Sequence, residues 1–497
     1  MKKIILLSIV LAFTLNLKSQ VNGVIIADTS NIQVVKVWGT HYERGYAYGY
    51  LLGTGITQVF NNYLKPMYGI YYSAARSIVT EELDLKFDSI FKVEARAVID
   101  GMNDAGTNTK RMDYVDLLIS NSFLDIARIL YSPLDMGCSS LISWGDATTG
   151  TDLAGKSVIT RHLDWTVSSS LTNNQIIYIN LPSEKDEQPW AGIGFSGIFG
   201  VLSGFNQNVG VFQHQMDDFS GNSSHRKKYE PIWISLRKSI EKLDYNSDGK
   251  NNTGDVRSAL MDHPNGYASG YIISAVAKST AVSDSLVAMI AEVAPTNPYL
   301  TFRSNRYEDK IPGDNLYTAN NQIARNDALN YCERYNSVAG EMGEGTGIGL
   351  TENRELLRDH SRLIHNLQFM QYAPELDLFS LSVYKESKPA YMHEPVVFSI
   401  RELFSAYNGI DEPGRSDQII SLYPNPVADI LTIRGLAPSG HEIFMKIYDI
   451  RGTLVYSEMG TSLNGEYRIN MDTLTPGVYL VKVESGRLEK VLKVLKQ

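Results

Sequence analysis

The chain has 497 residues, too long for one small domain and enough for two to four. Apolar residues make up 43% and charged residues 20%, a globular balance that excludes wholesale disorder. With 46 Lys+Arg against 55 Asp+Glu the net charge is −9, which excludes a uniformly basic nucleic-acid binder, and 2 Cys exclude a disulfide scaffold or a Cys-rich zinc site.

Residues 1–19 read as an export signal. Met1-Lys2-Lys3 is a short positive start, and the run from Ile4 to Leu17 is apolar except at Ser8, Thr14 and Asn16. Small Ser19 before Gln20 marks a cleavage point. The run falls short of the ~20 residues of a spanning helix, and no later stretch reaches ~18, so the mature chain is expected to have no transmembrane segment.

Residues 20–137 read as a helical pro-segment. Gly45, Gly49 and Gly53 recur every four residues and share one helical face. Each costs a helix roughly 1 kcal/mol against Ala, so the spacing predicts close backbone approach to a neighbour. Amphipathic helices are predicted over 81–102 and 113–130, the second from Val115, Leu118, Ile119, Phe123, Ile126 and Leu130. After Pro133 short β-like runs follow at 139–144, 157–160, 175–180 and 193–213, with helices at 231–242 and 264–275. This mixture predicts an α+β domain with mainly antiparallel sheets over 138–400. Residues 401–418 read as a linker. In 419–497, period-2 runs at 443–448, 453–457, 466–470 and 477–484 with no helical stretch read as a small Ig-like β-sandwich.

Chemistry concentrates at Gly137-Cys138-Ser139-Ser140, followed by Arg161-His162-Leu163-Asp164. Cys138 follows a glycine at a helix-to-strand transition and opens a strand; Arg161 and Asp164 arrive one β-hairpin later. An adjacent guanidinium favours a thiolate, and a carboxylate can orient an ammonium. That makes Cys138 a candidate nucleophile. A Cys–His pairing is the rival chemistry, with nine His available, but no papain-like signature surrounds the Cys. Gly194-Phe195-Ser196-Gly197 lacks the spacing of a serine elbow. The glycine-rich stretch 343–349 lacks the Lys-Ser/Thr of a phosphate loop and reads as a flexible loop near the substrate.

The segments MGCSSLISWGDATT and ITRHLDW resemble the motif of the cysteine N-terminal-nucleophile (Ntn) hydrolases. The branch they are most similar to is the acyl-coenzyme A:6-aminopenicillanic acid acyltransferase-like peptidases, related to choloylglycine hydrolases and N-acylethanolamine acid amidase. The resemblance implies a precursor cut just before Cys138, whose freed α-amino group serves as base for its own thiol. It also implies a four-layer αββα fold, cleavage of non-peptide C–N amides in a small N-acyl substrate, and no catalytic cofactor. Arg-His-Leu-Asp stands where the family has Arg-Asn-Leu-Asp, so Arg161 and Asp164 carry over and His162 replaces an Asn. LYTANNQ nominates Asn320 as an oxyanion donor, and CERYNSVAGEM nominates Arg334 as electrostatic support. GFNQNVGV matches with one extra residue, so a further oxyanion donor stays open among Gln213, Gln215 and Asp217. ERGYAYGYLLG resembles the branch's pro-segment. An acyltransferase on the same scaffold, or a catalytically silent surface-binding protein, are the alternative functions. Neither the acyl substrate nor the oligomeric state is legible.

Residues 244–255 carry oxygen side chains at loop positions 1, 3, 5, 9 and 12: Asp244, Asn246, Asp248, Asn252 and Asp255. Gly249 is at position 6 and the Lys250 carbonyl at position 7, the spacing a hard cation requires. The loop resembles that of dockerins, which implies structural Ca2+. The tail, with YPNP, IYDIRGTLVY and PGVYLVKVESG, resembles the C-terminal sorting domain of the type IX secretion system. That implies a Bacteroidetes-type bacterium, the secretion machinery as partner, and a secreted or cell-surface location.

Overall fold

The computed structural model describes residues 21–130, 136–215, 221–279, 286–304, 311–325, 332–361, 365–406, 421–434, 436, 442–449, 453–462, 465–485 and 488–496. The signal at 1–19 and positions 407–418 of the expected linker lie outside them.

Two strands, β1 (Gly23–Thr29) and β2 (Ile32–Gly39), open the described chain as an antiparallel hairpin. This corrects the expectation of a wholly helical pro-segment. Ile32, Val34, Val35 and Val37 are β-branched and buried on both faces of β2, the pattern of an inner strand. A Thr40–Glu43 capping box then starts α1 (His41–Val59), which runs on through a π-helical turn (Phe60–Leu64) into α2 (Lys65–Tyr68). Next come α3 (Tyr72–Glu81), α4 (Ser89–Asp104), α5 (Tyr114–Ser120) and α6 (Phe123–Ile129).

The glycine face of α1 lies against α4. A Cβ on Gly45 would stand 2.6 Å from the Glu94 carbonyl, and one on Gly49 would collide with that of Val98. Gly101 of α4 meets the Tyr46 carbonyl in the same way, so the two backbones touch. The helix expected over 81–102 begins only at Ser89, because the chain leaves α3 at Glu82 with φ 52°. The helix expected over 113–130 breaks at Asn121. That side chain donates to the Leu117 and Gly197 carbonyls and accepts from the Phe199 and Gly200 N–H, tying the break to a distant turn.

The sheets are built from β3 (Met136–Ser143), β4 (Val158–Trp165), β5 (Gln175–Pro182), β6 (Trp190–Phe195), β7 (Ser203–Asn206), β8 (Val209–Gln215), β9 (Tyr271–Ala277), β10 (Ala288–Val293), β11 (Leu300–Arg303), β12 (Asn315–Thr318), β13 (Asn366–Ala373), β14 (Leu378–Val383) and β15 (Val396–Ser399). The remaining helices are α7 (Ser169–Thr172), α8 (Ile232–Glu241), α9 (Thr253–Met261), α10 (Glu333–Glu341), α11 (Leu350–His360) and α12 (Ile400–Phe404). A nine-stranded sheet runs β1-β2-β5-β6-β7-β8-β9-β10-β11, parallel at β2–β5 and otherwise antiparallel; an antiparallel six-stranded sheet runs β12-β3-β4-β13-β14-β15. Ile142, Ile159 and Met370 of the second meet Ile177, Phe205 and Ile272 of the first in one core, so the sheets pack face to face. On the outer side of the nine-stranded sheet, Tyr178, Val211 and Ile273 pack with Tyr48 of α1, Val98 of α4 and Leu236 of α8. On the outer side of the six-stranded sheet, Leu141, Tyr317 and Phe369 pack with Tyr335 and Val338 of α10 and Leu357 of α11.

Two further expectations are corrected. The helix expected at 264–275 is loop and then β9, all of whose residues are buried; a strand covered on both faces has no period-2 alternation to announce it. The linker expected from 401 starts later. Ile400 and Leu403 of α12 are buried, and the first compact unit runs to Ala406.

The second unit holds β16 (Ser421–Tyr423), β17 (Ile430–Arg434), β18 (Glu442–Asp449), β19 (Leu454–Thr461), β20 (Glu466–Asn470), β21 (Gly477–Ser485) and β22 (Leu488–Lys496). They form two antiparallel sheets, β16-β17-β20 and β19-β18-β21-β22, around a core of Leu431, Ile433, Ile443, Ile447, Val481 and Val483. Among the described residues no helix is long and apolar enough to cross a membrane.

Candidate active site

The pairing of β3 with β4 assembles the site. Gly137 stands opposite Asp164, Cys138 opposite Leu163, Ser139 opposite His162 and Ser140 opposite Arg161. β3 begins at Met136, so Cys138 is its third residue rather than its first. Side chains alternate along a strand. Ile142 faces the nine-stranded sheet and Leu141 faces α10 and α11. By that alternation Cys138 and Ser140 face the other sheet, and Gly137 and Ser139 face the helices.

On the inter-sheet side, Arg161 Nη2 lies 3.6 Å from Cys138 Sγ and 3.0 Å from the Gln213 carbonyl of β8. All three residues are fully buried. Burial pulls the guanidinium's pKa down, and the charges of Cys138 and Asp164 offset only part of that. Among the described residues Arg161 Nε and Nη1 have no hydrogen-bond partner. The Gln213 side chain accepts from Trp233 Nε1 of α8 at 3.1 Å, and its Nε2 has no partner among the described residues. Gln213 thus meets Arg161 through its backbone carbonyl, while its side chain shares the α8 side of β8 with Val211; the Gln215 side chain and Asp217 lie outside the described residues. Ser140 Oγ lies 2.9 Å from His214 Nε2 and 2.7 Å from Ser274 Oγ. Burial first, then the Arg161 charge, push His214 well below the usual imidazole range.

The helix side addresses the backbone of Cys138. Its N–H donates to Asn320 Oδ1 at 3.0 Å, and Arg334 Nη2 donates to the same oxygen at 2.6 Å. Asn320 arrives because Thr318 of β12 pairs with Ser140, and Arg334 sits in the first turn of α10. A Cβ on Gly137 would stand 3.3 Å from Asp164 Cβ and 3.7 Å from Arg334 Nη1, so both charged groups flank the Gly137–Cys138 bond. Asp164 Oδ1 is 3.3 Å from His162 Nδ1, and His162 Nε2 is 2.5 Å from Ser139 Oγ. The five nominated residues Cys138, Arg161, Asp164, Asn320 and Arg334 thus meet at one end of the β3–β4 pair. They divide, with Arg161 at the sulfur and the other three at the backbone. Ser139, His162 and His214 went unnominated; the one signal for them was the histidine inside Arg-His-Leu-Asp. An apolar cover closes this end: Trp165 stacks on Phe123 with centroids 6.0 Å apart and meets Tyr63 and Phe195 edge-on.

Other nominated groups lie elsewhere. The glycine stretch 343–349 packs on Pro312 and on Ala147 to Asp152, beyond Ser143, so it is at the opposite end of β3 from Cys138. In the acidic loop, Asp244 accepts from the N–H of Asp248 and Gly249, Asn246 from Asp248, and Asp248 from Lys250. Asn252 caps α9, and Asp255 completes the capping box while also accepting from the Tyr245 and Asn246 N–H. Burial, with Asp244 adding to it, raises the Asp255 carboxyl's pKa. The group of three acidic or imidazole side chains that does converge within 4.8 Å, among the described residues, is His41, Glu187 and Glu241. Arg44 and Arg237 already pair with its carboxylates, so it is an ion-pair cluster.

Residues 421–497 match the family described as the secretion system C-terminal sorting domain. Protein dcd1B of Dictyostelium discoideum is 23% identical over 223 residues, which cover 42% of this chain and 43% of that protein. The chain therefore spans less than half the length of this relative. Among solved structures, dimeric latent PorU from Porphyromonas gingivalis is similar over 27% of this chain and 12% of its own, at 21% identity and a TM-score of 0.15.

Proposed function

We propose that this chain, a secreted or cell-surface protein of Bacteroidetes type by its type IX sorting tail, is a self-processing amide hydrolase with Cys138 as its nucleophile. One observation carries the reading. A single strand residue offers its sulfur to Arg161 of β4 and its backbone nitrogen, at the β12 edge, to Asn320, backed by Arg334. An N-terminal nucleophile uses both atoms, the sulfur to attack and the nitrogen to carry the proton.

In self-cleavage the Cys138 sulfur bonds to the Gly137 carbonyl carbon and the C–N bond breaks. The thiol proton passes to the departing nitrogen, and water hydrolyses the thioester. In turnover the released amine takes the thiol proton, the sulfur attacks a substrate amide, and the proton goes on to the leaving amine. Water then frees the acyl group. The Arg161 nitrogens without a hydrogen-bond partner among the described residues and the amide of Asn320 are the donors for the oxyanion formed in both reactions. Leu163 and Trp165 around the sulfur suit an apolar acyl group.

Intact-mass analysis and N-terminal sequencing test this. The wild type is expected to yield a fragment beginning Cys-Ser-Ser-Leu and to hydrolyse members of an N-acyl amide panel. Cys138→Ala is expected to stay one chain from the signal-cleavage site and to be inactive. Active wild-type protein with an intact Gly137–Cys138 bond sinks the reading.

A further inference from the structure

A buried polar chain on the helix side of β3 takes no part in the steps above. It runs from Asp164 through His162 to Ser139. On the same side of β3, the Tyr317 hydroxyl is 3.0 Å from Ser361 Oγ. Ser139, His162, Tyr317 and Ser361 are fully buried, and Asp164 is 6% exposed. The Asp164 end reaches the bond to be cut, since Asp164 stands opposite Gly137 in the strand register.

We propose that His162 is a positioning residue for the Cys138 nitrogen, acting through Asp164, and that the site works only while His162 is neutral. The inference rests on the N-terminal-cysteine reading. In one neutral tautomer Nε2 accepts from the Ser139 hydroxyl, which leaves Nδ1–H 3.3 Å from Asp164 Oδ1, within electrostatic reach but without hydrogen-bond geometry to it. The charged and titratable groups acting on the ring are Asp164 and Arg161 on β4, Arg334 at the start of α10, and His214 on β8, itself a buried imidazole held well below its usual range. Burial lowers the imidazole's pKa; Asp164 opposes this, and the two guanidiniums add to it.

Protonation of His162 places a third cation beside Arg161 and Arg334 and ties Asp164 into an ion pair. The Cys138 nitrogen takes up a proton in self-cleavage, where it leaves as an amine through a transiently protonated tetrahedral intermediate, and again in turnover, where it becomes an ammonium; positive charge develops on it in both. An extra buried cation opposes that step. Acid therefore slows the site through His162, over and above any loss from protonating the thiol.

Self-cleavage needs no substrate, so the freshly translated full chain is the probe, followed by intact mass from about pH 4 to about pH 8. Between neutral pH and the acid end, the wild type is expected to lose at least about tenfold more rate than His162→Asn, which cannot titrate. Ser139→Ala removes a donor that favours the neutral ring, so its acid limb should move to higher pH. Superposable pH profiles for wild type and His162→Asn, whatever their absolute rates, overturn the assignment alone. If His162→Asn does not fold, Ser139→Ala decides, and an acid limb left in place overturns the assignment. A wild type that never cleaves at Cys138 overturns the underlying reading instead.

Discussion

Gln213 sits on β8 with its backbone carbonyl held by Arg161 and its side-chain oxygen held by Trp233. Its Nε2 is buried with no partner among the described residues, a state that normally costs about 1–3 kcal/mol. Gln213→Glu keeps the acceptor for Trp233 and removes both donors. Because that side chain lies on the α8 side of β8, we expect acylation by an N-acyl amide to keep its wild-type rate. A loss of about 10²-fold in rapid-mixing measurements, the usual effect of losing one oxyanion donor, would bring Gln213 into the site. Cys138, Arg161 and Asp164 were legible because they fall in two short segments of unusual chemistry one hairpin apart, and Asn320 and Arg334 only from motif resemblance. Ser139, His162 and His214 were not, because their roles come from cross-strand register. Ser139 and Ser140 are identical in sequence, yet one meets His162 and the other His214, purely by the alternation of β3.

At the scale of elements, a buried ion cluster joins α1, α4, α8 and the β5–β6 connection. His41 Nδ1 lies 2.7 Å from Glu94 and Nε2 lies 3.1 Å from Glu187, while Arg237 binds both Glu94 and Glu241. Burial alone would lower the His41 pKa; hydrogen bonds to Glu187 and Glu94 outweigh it and raise the pKa to about 9. The folded value lies above the ordinary 6.5, so this group's stabilisation is complete below about pH 6.5 and is lost as pH rises through 9. Chemical denaturation should show stability falling from neutral pH to about pH 10, by on the order of a few kcal/mol, and His41→Gln should flatten that slope. An equally steep slope in the variant assigns it to other groups. The glycine face of α1 was legible because its helical spacing has one cheap explanation, close packing, and α4 supplies it. β9 was not, because YIISAVA is apolar at nearly every position and carries no period. The acidic loop was legible in its turns and its cap, while its cation is a separate proposal. Asp244 adds like charge to a buried Asp255, a strain that Ca2+ would relieve. Calcium should raise the melting temperature by mass action, and Asp244→Ala with Asp248→Ala should abolish the shift. Equal responses to calcium and chelator in both proteins leave the loop as a turn.

At the scale of the whole molecule, the chain divides into two units with separate cores. Cys138 and every residue brought to it belong to the first, which runs to Ala406. The second has its own two-sheet core, and residues 421–497 are the sorting domain. Its strands carry alternating burial, as in β18, where Ile443, Met445 and Ile447 are buried and Phe444 and Lys446 are not, so it was legible as an all-β module from period-2 patterning. Its role was legible only from motif resemblance, since a small sandwich serves many ends. Separate cores make the two functions separable. Deleting residues 421–497 removes no residue of the cores around Cys138 or between the large sheets. Self-cleavage and amide hydrolysis should therefore persist at wild-type rate in the truncated chain. Export should not, because the feature that the secretion machinery reads is gone. Fractionation of cells expressing the truncated chain should find it in the periplasm, with none at the surface or in the medium, and lysates of those cells should contain the fragment beginning at Cys138. Surface delivery of the truncated chain would show that the sorting information lies elsewhere. Normal export with lost self-cleavage would show the reverse, a tail that supports the fold of the first unit.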